Sequence, residues 1–548
     1  MTCRHLLPAL PLALFLCACS PEPSAPPEVD ISAGRIAAHT KFLSIDEMGG
    51  REPGTPSEIL TTEYIAAQFE LAGIPPAGDE GTYFQKVALV GVKSLPETTL
   101  HWQQGARRIS MKYLDDFVAV NHQQLPSAEI DAETVFVGHG IVAPEFGWDD
   151  YKNTDVAGKV VVLFTNEPPS EDPAFFGGKA LTYYGRWTFK YEEATRRGAA
   201  GCIIIHTDPT AGYGWQVVRN SWSGQNPYVK LEAGQPALAL AGWVTSTVGQ
   251  QILAGLGDSL EQILAQAETK EFQPVPLSFR VRGHIPSEVR PMDTRNVVAM
   301  LEGSDPVKKS EAVLYTAHWD HLGVGVPVDD DAIYNGAVDN ATGTAVLIEL
   351  ARAWGQADPK PARSIIFAAV GAEEGGLRGS EYYAHHPVVP AGKTAVNLNY
   401  DGLSPLGRTS DIALPGHERT TLRPVVEETA REFNVTLRPD AHPEQGYYYR
   451  SDHFSMAKVG VPAFSLDLGV DYIGKPEGWG LEADERYRTA HYHQPSDEFD
   501  PSWDFSGLEM IARFGYVLGG KVANMPELPT WNPGDEFLAA RESSWAGQ

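Results

Sequence analysis

Short apolar runs and helical patterns alternate over residues 281–525, and this alternation limits the fold more than any other feature of the chain. The apolar runs have the length of β-strands and cover residues 296–301, 312–316, 364–370, 395–399 and 462–466. A helical pattern over residues 342–354 lies between the second and the third run. Strands that alternate with helices build a mostly parallel central sheet with helices on both faces. The sequence therefore predicts the α/β fold class.

Residues 95–280 follow a different pattern, in which strand-like runs at 133–137, 160–164 and 201–206 alternate with Gly, Pro, Asn and Asp turns. We interpret this stretch as a β-rich module inserted into the α/β domain, which is thereby split into residues 31–94 and 281–525. The first part contains a predicted helix over residues 55–73. Residues 526–548 are expected to form a loosely held C-terminal tail.

The N-terminal residues have the character of an export signal. Arg4 and His5 precede an apolar run over residues 6–16, which is too short to span a bilayer. The following Leu-Cys-Ala-Cys resembles a bacterial lipobox, in which Cys19 is lipidated and becomes the mature N-terminus; ordinary signal cleavage is the alternative. Residues 1–18 are then the signal, and residues 19–30 are a Pro-rich tether. The expected location is a bacterial membrane, with the protein facing the periplasm or the cell exterior.

Charge and cysteine content exclude two classes of protein. The formal net charge is −28, and such a surface repels phosphate backbones, so no nucleic-acid partner is expected. Beyond the signal and Cys19, the one remaining cysteine is Cys202, in an apolar run. We expect Cys202 to be a buried core residue and not a nucleophile. The chain therefore has no disulfide scaffold.

Groups that can bind metal follow the predicted strands of the second half. His318 and Asp320 follow the run 312–316, Glu373 and Glu374 follow 364–370, Asp401 follows 395–399, Asp339 lies in a turn before a helix, and His491 and His493 come late in the chain. Each of these residues alone has an ordinary interpretation as a turn, cap or surface residue. The carboxyl ends of parallel strands meet at one edge of a sheet, so together they predict a site. A mixture of imidazoles and carboxylates favours zinc over calcium or magnesium.

Six ordered motifs contain most of these residues: AHWDHLG (317–323), YNGAVDNATG (334–343), GAEEGGLRGS (371–380), NYDGL (399–403), SDHF (451–454) and HQPSD (493–497). Together they resemble the M28 family of co-catalytic zinc peptidases, which includes bacterial aminopeptidases and the glutamate carboxypeptidase group. The inserted stretch, with GHGIVAP at 138–144 and ATRRGAAGCIII at 194–205, resembles the protease-associated (PA) domain that several M28 peptidases carry. The resemblance implies a zinc-exopeptidase fold with a PA-type insert at 95–280.

The resemblance also implies a role for each site residue. Two zinc ions per chain would be held by five ligands: His318 and Asp401 on one ion, Glu374 and His493 on the other, and Asp339 bridging both. Glu373 would be the general base, and Asp320 would orient His318. His491 is an alternative to His493, and Asn399 is a poorer alternative to Asp401. Asp452 and His453 are expected to support the pocket wall.

The function expected from this resemblance is hydrolysis of peptide bonds at a chain end, with water activated by two zinc ions and with Glu373 as base. An aminopeptidase is the first expectation, and a carboxypeptidase of the glutamate carboxypeptidase type is the alternative. A non-catalytic binding relative, or another hydrolase or a glutaminyl cyclase on the same scaffold, is less favoured. Aminopeptidases bind a free α-amine with carboxylates, whereas carboxypeptidases bind a free α-carboxylate with Arg or Lys. The sequence does not locate either recognition group.

Overall fold

The computed structural model describes residues 29–546, except residues 173–174, 232–233, 258, 441–442 and 444–445. The predicted signal, the lipidation at Cys19 and nearly all of the tether lie outside the described residues. Within the described part, no helix combines the length and the apolar character that crossing a bilayer requires.

A six-stranded sheet forms the centre of the α/β domain. Its strands, in spatial order, are Phe84–Val87, Thr294–Leu301, Ser364–Val370, Ala312–His318, Thr394–Asn399 and Ala463–Ser465. The first two pairings are antiparallel and the last three are parallel. The predicted mostly parallel sheet is confirmed for the four strands that lead to the site, and the antiparallel edge is an addition to the expectation.

The two faces of this sheet carry separate hydrophobic cores. Along the strand Ala312–His318, Val313 and Tyr315 belong to one core, whereas Leu314 belongs to the other. Successive side chains of a strand point to opposite faces, so a strand buried on both faces must be apolar throughout. This requirement explains the continuous apolar runs in the sequence.

Helices cover both faces of the sheet. The helices that supply the first core are Ala33–Leu43, Pro56–Leu71, Thr342–Gly355, Arg423–Glu432 and Ser506–Asn524. The second core is completed by Arg378–His385 and His453–Lys458, and by the C-terminal helix Leu538–Ala546. Trp479–Ala490 lies just before the late histidines. The helix expected over 55–73 and the helical pattern over 342–354 are both present.

The C-terminal residues are packed, and the expectation of a loosely held tail was wrong. Trp531 is buried, and its indole Nε1 donates to the Gly460 carbonyl at 3.0 Å. The buried guanidinium of Arg541 donates to the carbonyls of Ala391 and Thr394. Because Trp531 and Phe537 complete the second core, this segment is bound to the domain by apolar burial.

The inserted stretch forms a second, ten-stranded sheet. Eight strands follow one another in the order Asn226–Val229, Leu89–Ser94, Val275–Pro291, Ser127–Phe136, Val160–Phe164, Gly201–Ile205, Leu240–Val244 and Phe117–Val120, and Thr99–Gln104 with Arg107–Ser110 attaches to the third. The helices of this part are Trp187–Arg196, Asp208–Ala211, Trp215–Ser223, Ser246–Ile252 and Leu260–Ala267. Cys202 is fully buried in this sheet, where burial raises the pKa of its thiol, so it is a core residue as expected.

The expected limits of the insert, 95 and 280, do not coincide with the limits of this sheet. Leu89–Ser94 pairs with Val275–Pro291, so both strands belong to the inserted sheet. The second strand is continuous over 17 residues and runs through position 280. The chain passes between the two sheets at 87–89 and at 291–294, where Val87, Leu89 and Met292 pack together against Ala372.

Short strands complete the fold. Gly323–Val328 pairs with Asp331–Tyr334, Val142–Ala143 pairs with Trp148–Asp149, and Asp411–Ala413 pairs with Thr436–Arg438 and Asp467–Leu468.

Candidate metal centre

The carboxyl ends of three neighbouring parallel strands bring the predicted ligands together. His318 ends the strand Ala312–His318, Glu374 follows Ser364–Val370, and Asp401 follows Thr394–Asn399. Asp339 lies in the turn before the helix Thr342–Gly355, and His493 lies in the loop after the helix Trp479–Ala490. All of these side chains are buried or nearly so.

The Asp339 carboxylate lies between two imidazoles. Its Oδ1 is 3.3 Å from Nε2 of His318, and its Oδ2 is 3.3 Å from Nε2 of His493. The same His318 nitrogen is 3.0 Å from Asp401 Oδ1, and the same His493 nitrogen is 3.1 Å from Glu374 Oε2. Two sets of one imidazole and two carboxylates therefore share Asp339.

These separations fit zinc. Zinc takes nitrogen and oxygen ligands at about 2.0–2.2 Å in a tetrahedron, which sets neighbouring ligand atoms about 3.3 Å apart or slightly more. The distances from His318 Nε2 and His493 Nε2 to the carboxylate oxygens of their sets are 3.0–3.3 Å. The donor types and their spacing are therefore compatible with one ion in each set.

The electrostatics of the site favour cations. Burial alone would lower the pKa of His318, but the carboxylates of Asp401 and Glu373 raise it well above its usual value. Burial would also lower the pKa of His493, but the carboxylates of Glu374 and Asp339 raise it to about 10. Each imidazole is held by carboxylates that attract positive charge, whether from a proton or from a metal ion.

Glu373 lies beside the ligands without an ion-pair contact to His318 or His493 among the described residues. Burial raises its pKa well above the usual value, and the charges of Glu374, Asp401 and Asp452 add to this effect against the opposing His318. A carboxyl group with a raised pKa next to a metal site can accept a proton and return it.

Comparison with models of protein families matches residues 296–513 to peptidase family M28. This segment is an M28 metallopeptidase domain. The expected family is thereby confirmed for the part of the chain that holds the site, whereas the PA-type assignment of the insert and the lipid anchor stay predictions.

Known proteins similar to this chain include several peptidases. The leupeptin-inactivating enzyme 1 of Streptomyces exfoliatus is 27% identical over 205 residues, which are 37% of this chain and 42% of that protein. Aminopeptidase NAALADL1 of Rattus norvegicus is 35% identical over 109 residues, which are 19% of this chain and 13% of that protein. The chain thus matches less than half the length of these relatives.

Among solved structures, an aminopeptidase from Aneurinibacillus sp. strain AM-1 has a similar fold. The TM-score is 0.53 at 20% sequence identity, and the likeness covers 92% of this chain and 97% of that one. The shared architecture therefore extends beyond the M28 domain to the inserted sheet.

Asp320 has a different set of contacts in the M28 domain from the one expected. Its carboxylate is 3.8 Å from His318 Nδ1, whereas its backbone carbonyl is nearer, at 3.2 Å. The carboxylate instead accepts the backbone N–H groups of Glu373 at 3.1 Å and Glu374 at 3.4 Å. The Asp320 carboxylate therefore orients the backbone of Glu373, the expected base, and of Glu374, an expected ligand. The His318 ring is held chiefly by the backbone carbonyl of Asp320.

The alternatives to the expected ligands have other hydrogen-bond partners. His491 is exposed, and its Nδ1 is 3.0 Å from the Ser496 hydroxyl. Asn399 is fully buried, but its amide oxygen accepts from Thr316 and its amide nitrogen donates to Ser451. Among the described residues neither side chain hydrogen-bonds to the carboxylates that surround His318 and His493.

Asp452 and His453 are fully buried at the start of the helix His453–Lys458. The ring of His453 packs edge-on against Tyr448, with the centroids 4.8 Å apart. Burial raises the pKa of Asp452 to about 6, and the charges of Asp401 and Glu374 contribute. Both residues thus lie beneath the site and not at its surface.

Three side chains that the sequence analysis did not assign also contact the site. The Ser451 hydroxyl donates to Asp401 Oδ2 at 2.5 Å. Asp497 accepts the backbone N–H groups of Val338 and Asp339, which fixes the turn that carries the shared carboxylate. His321 Nδ1 is 2.6 Å from Glu374 Oε1. All three lie inside the six motifs that resemble the M28 family, and this was the one feature of the sequence that could have indicated them.

Arg51 lies beneath the site and is fully buried. Its guanidinium donates to the carbonyls of Leu43, Trp319, Asn335 and Gly336 at 2.6–2.8 Å. Burial lowers the pKa of Arg51 to about 10, against the pull of Asp320 and of the other nearby carboxylates. One cation therefore joins the loop after His318 to the turn before Asp339.

We predict that Arg51→Lys lowers the free energy of unfolding by about 3 kcal/mol or more, because one ammonium group cannot serve four carbonyls and each buried carbonyl without a donor costs about 1–3 kcal/mol. Urea denaturation measures the change. Arg423→Lys is the control, since Arg423 is exposed and paired with Glu427, and it should change stability by less than about 0.5 kcal/mol. Equal stability of the two variants would contradict the structural role of Arg51.

Proposed function

We propose that the chain is a zinc-dependent exopeptidase, with aminopeptidase activity as the leading assignment. The observation that carries the proposal is the Asp339 carboxylate, whose two oxygens face two different imidazoles at equal distances of 3.3 Å. His318, Asp339 and Asp401 would hold one zinc ion, and Asp339, Glu374 and His493 would hold the other. Bound there, zinc supplies Lewis acidity that polarises the scissile carbonyl and lowers the pKa of water.

In this mechanism Glu373 moves the proton. Its carboxylate accepts a proton from the attacking water and later donates that proton to the leaving amine. The raised pKa of Glu373 supports this role, since a buried carboxylate with acidic neighbours holds a proton more readily than an exposed one. The hydrogen bond from the Glu373 N–H to Asp320 keeps the backbone fixed while the side chain changes its charge.

Glu373→Gln is predicted to reduce turnover of peptides at least about 100-fold, because an amide cannot accept the proton. Its metal content, measured by mass spectrometry of the elements, should remain that of the wild type, since Glu373 is not among the proposed ligands. Glu482→Gln, at an exposed position of the helix Trp479–Ala490, is the control. A wild-type rate for Glu373→Gln would show that another group is the base.

Removal of metal by a chelator should abolish hydrolysis, and added zinc should restore it. Elemental analysis of the active protein should give two zinc ions per chain, because the ligand sets are two. Full activity in the metal-free protein would refute the proposed chemistry.

A carboxylate beside the site supports recognition of a free α-amine. Ser465 pairs with Asn399 in adjacent parallel strands. Asp467 and Asp401 each follow this pair by two residues, so they are neighbours at the same edge of the sheet. Among the described residues Asp467 accepts a hydrogen bond from Ser465 at 3.3 Å and forms no ion pair. Burial and the neighbouring Asp401 raise the pKa of Asp467 to about 8. A substrate ammonium group would supply the positive charge that this carboxylate lacks.

A pair of arginines favours the second candidate function, a carboxypeptidase. Arg186 and Arg450 line a cavity of about 500 Å³ in the inserted part, to which the M28 domain contributes Arg450. Both arginines are partly buried, and neither forms an ion pair with a carboxylate among the described residues. Arg450 lies close enough to Tyr492 for that residue to raise its pKa, and the Tyr492 ring stacks on His493 with the centroids 3.9 Å apart. A free α-carboxylate would fit such a cation pair.

Digestion of a peptide library with free and blocked ends separates the two functions. For an aminopeptidase we expect N-acetylated peptides to resist cleavage and C-amidated peptides to be cleaved. Asp467→Asn should then lower kcat/KM for free-amine peptides about tenfold or more, the effect of losing a buried charged hydrogen bond.

Two further variants complete this experiment. Asp500→Asn, at an exposed position, is the control for Asp467→Asn. Arg186→Gln should affect an aminopeptidase less than Asp467→Asn does. Resistance of the C-amidated peptides, together with a larger loss in Arg186→Gln, would instead establish the carboxypeptidase.

The proposed setting is a bacterial membrane, with the protein facing the periplasm or the cell exterior, where it would meet peptide substrates. The apolar run 6–16 and Cys19 support an exported, lipid-anchored protein. The PA-type assignment of the inserted part belongs to the same proposal and is supported by its motifs.

A further inference from the structure

His321 is buried at the metal centre, and the proposed mechanism gives it no role. It follows His318 by three residues, and its side chain has no solvent exposure. Its Nδ1 lies 2.6 Å from Glu374 Oε1, while the other oxygen of Glu374 lies 3.1 Å from His493 Nε2. The two oxygens of one proposed ligand thus face two different imidazoles.

The surroundings of His321 hold the ring in this position. Gly336 has a φ of 55°, and a Cβ atom there would come within 2.4 Å of the His321 ring. The backbone of Gly336 can therefore lie directly against the imidazole, which a larger residue would displace. Arg51 binds the carbonyl of Trp319, two residues before His321, and the carbonyl of Gly336.

The distances distinguish a hydrogen bond from shared metal ligation. Two ligands of one zinc ion lie about 3.3 Å apart or slightly more, whereas Nδ1 and Oε1 are 2.6 Å apart, a hydrogen-bond distance. An imidazole that donates from Nδ1 fixes its own tautomer. The carboxylate it binds has one oxygen engaged and the other left for the ion.

We propose that His321 is a positioning residue for the second metal ion: its Nδ1–H binds Oε1 of Glu374 and thereby directs Oε2 toward the ion shared with His493 and Asp339. The assignment rests on the proposed two-metal function. Residues that orient metal ligands contribute about 10–100-fold to metal affinity. His321 therefore sets the affinity of one ion and leaves that of the other unchanged.

Zinc retention in three variants tests this assignment. His321→Ala removes the donor, whereas His321→Asn offers an amide N–H close to the position of Nδ1. His139→Asn is the matched control, because His139 is also a buried histidine but lies in the inserted sheet region, bound to the Thr165 carbonyl. Each protein is dialysed against zinc buffers of graded free concentration, and bound zinc per chain is measured. Thermal unfolding of the metal-free forms checks that each variant folds.

In the wild type and in His139→Asn we expect two ions with unchanged affinities. In His321→Ala one ion should need about 10–100 times more free zinc, while the other is retained as in the wild type. His321→Asn should recover most of the loss, which a general packing defect would not allow.

Three results would overturn the assignment. Parallel loss of both ions, or unchanged retention of both, in folded His321→Ala would exclude a role at one ion. A His321→Asn protein as deficient as His321→Ala would show that the imidazole itself is required. A wild-type protein without zinc would refute the proposed function itself, whereas any of these three results with a wild type that binds two ions would refute the assignment alone.

Discussion

The buried guanidinium of Arg51 is the interaction on which the geometry of the metal centre depends. Its four carbonyl partners come from the N-terminal helix, from the loop after the strand Ala312–His318 and from the turn before Asp339. The helix is far in the chain from the other two segments, which carry His318, His321 and Asp339. A buried charge is costly unless it is well hydrogen-bonded, and the nearby carboxylates offset part of that cost.

The acidic side chains of the site divide into two groups by what they bind. Asp339, Glu374 and Asp401 face imidazoles. Asp320 and Asp497 instead accept backbone N–H groups, which fixes the segments that carry the first group. The second group needs no metal ion to be satisfied. The loops of the site are therefore held by hydrogen bonds of their own, and binding of an ion does not have to order them.

Much of the fold and most residues of the candidate metal centre could be predicted from the sequence. A strand buried on both faces must be apolar throughout, and the apolar run 364–370 coincides with an observed strand. Because sites form at the carboxyl ends of parallel strands, the sequence also predicted that His318, Glu374 and Asp401 lie close together. The predicted insert boundary at 280 was wrong, because the strand Val275–Pro291 continues across this position and its alternation of polar and apolar residues gives no sign of a boundary there.

Other features depend on tertiary contacts that no local pattern encodes. Trp531 and Arg541 hold the C-terminal segment through partners about 70 and 150 residues away along the chain. The roles of Arg51 and His321 follow from carbonyl and carboxylate partners that the folded chain brings near. The sequence predicted Asp320 as a site residue, but its hydrogen bonds to the backbone of Glu373 and Glu374 depend on how the folded chain brings these loops together.

The two places where the chain crosses between the sheets have a consequence for how the halves of the molecule communicate. Leu89 and Met292, one at each crossing, pack against Ala372, which directly precedes Glu373. The cavity with Arg186 is lined by the inserted half, and Arg450 reaches it from the other half. A movement of the inserted sheet relative to the other half would shift these crossings, and their contact with Ala372 would transmit the shift to the peptide bond before Glu373, the proposed base. The joint between the two halves therefore lies beside the loop that carries this residue.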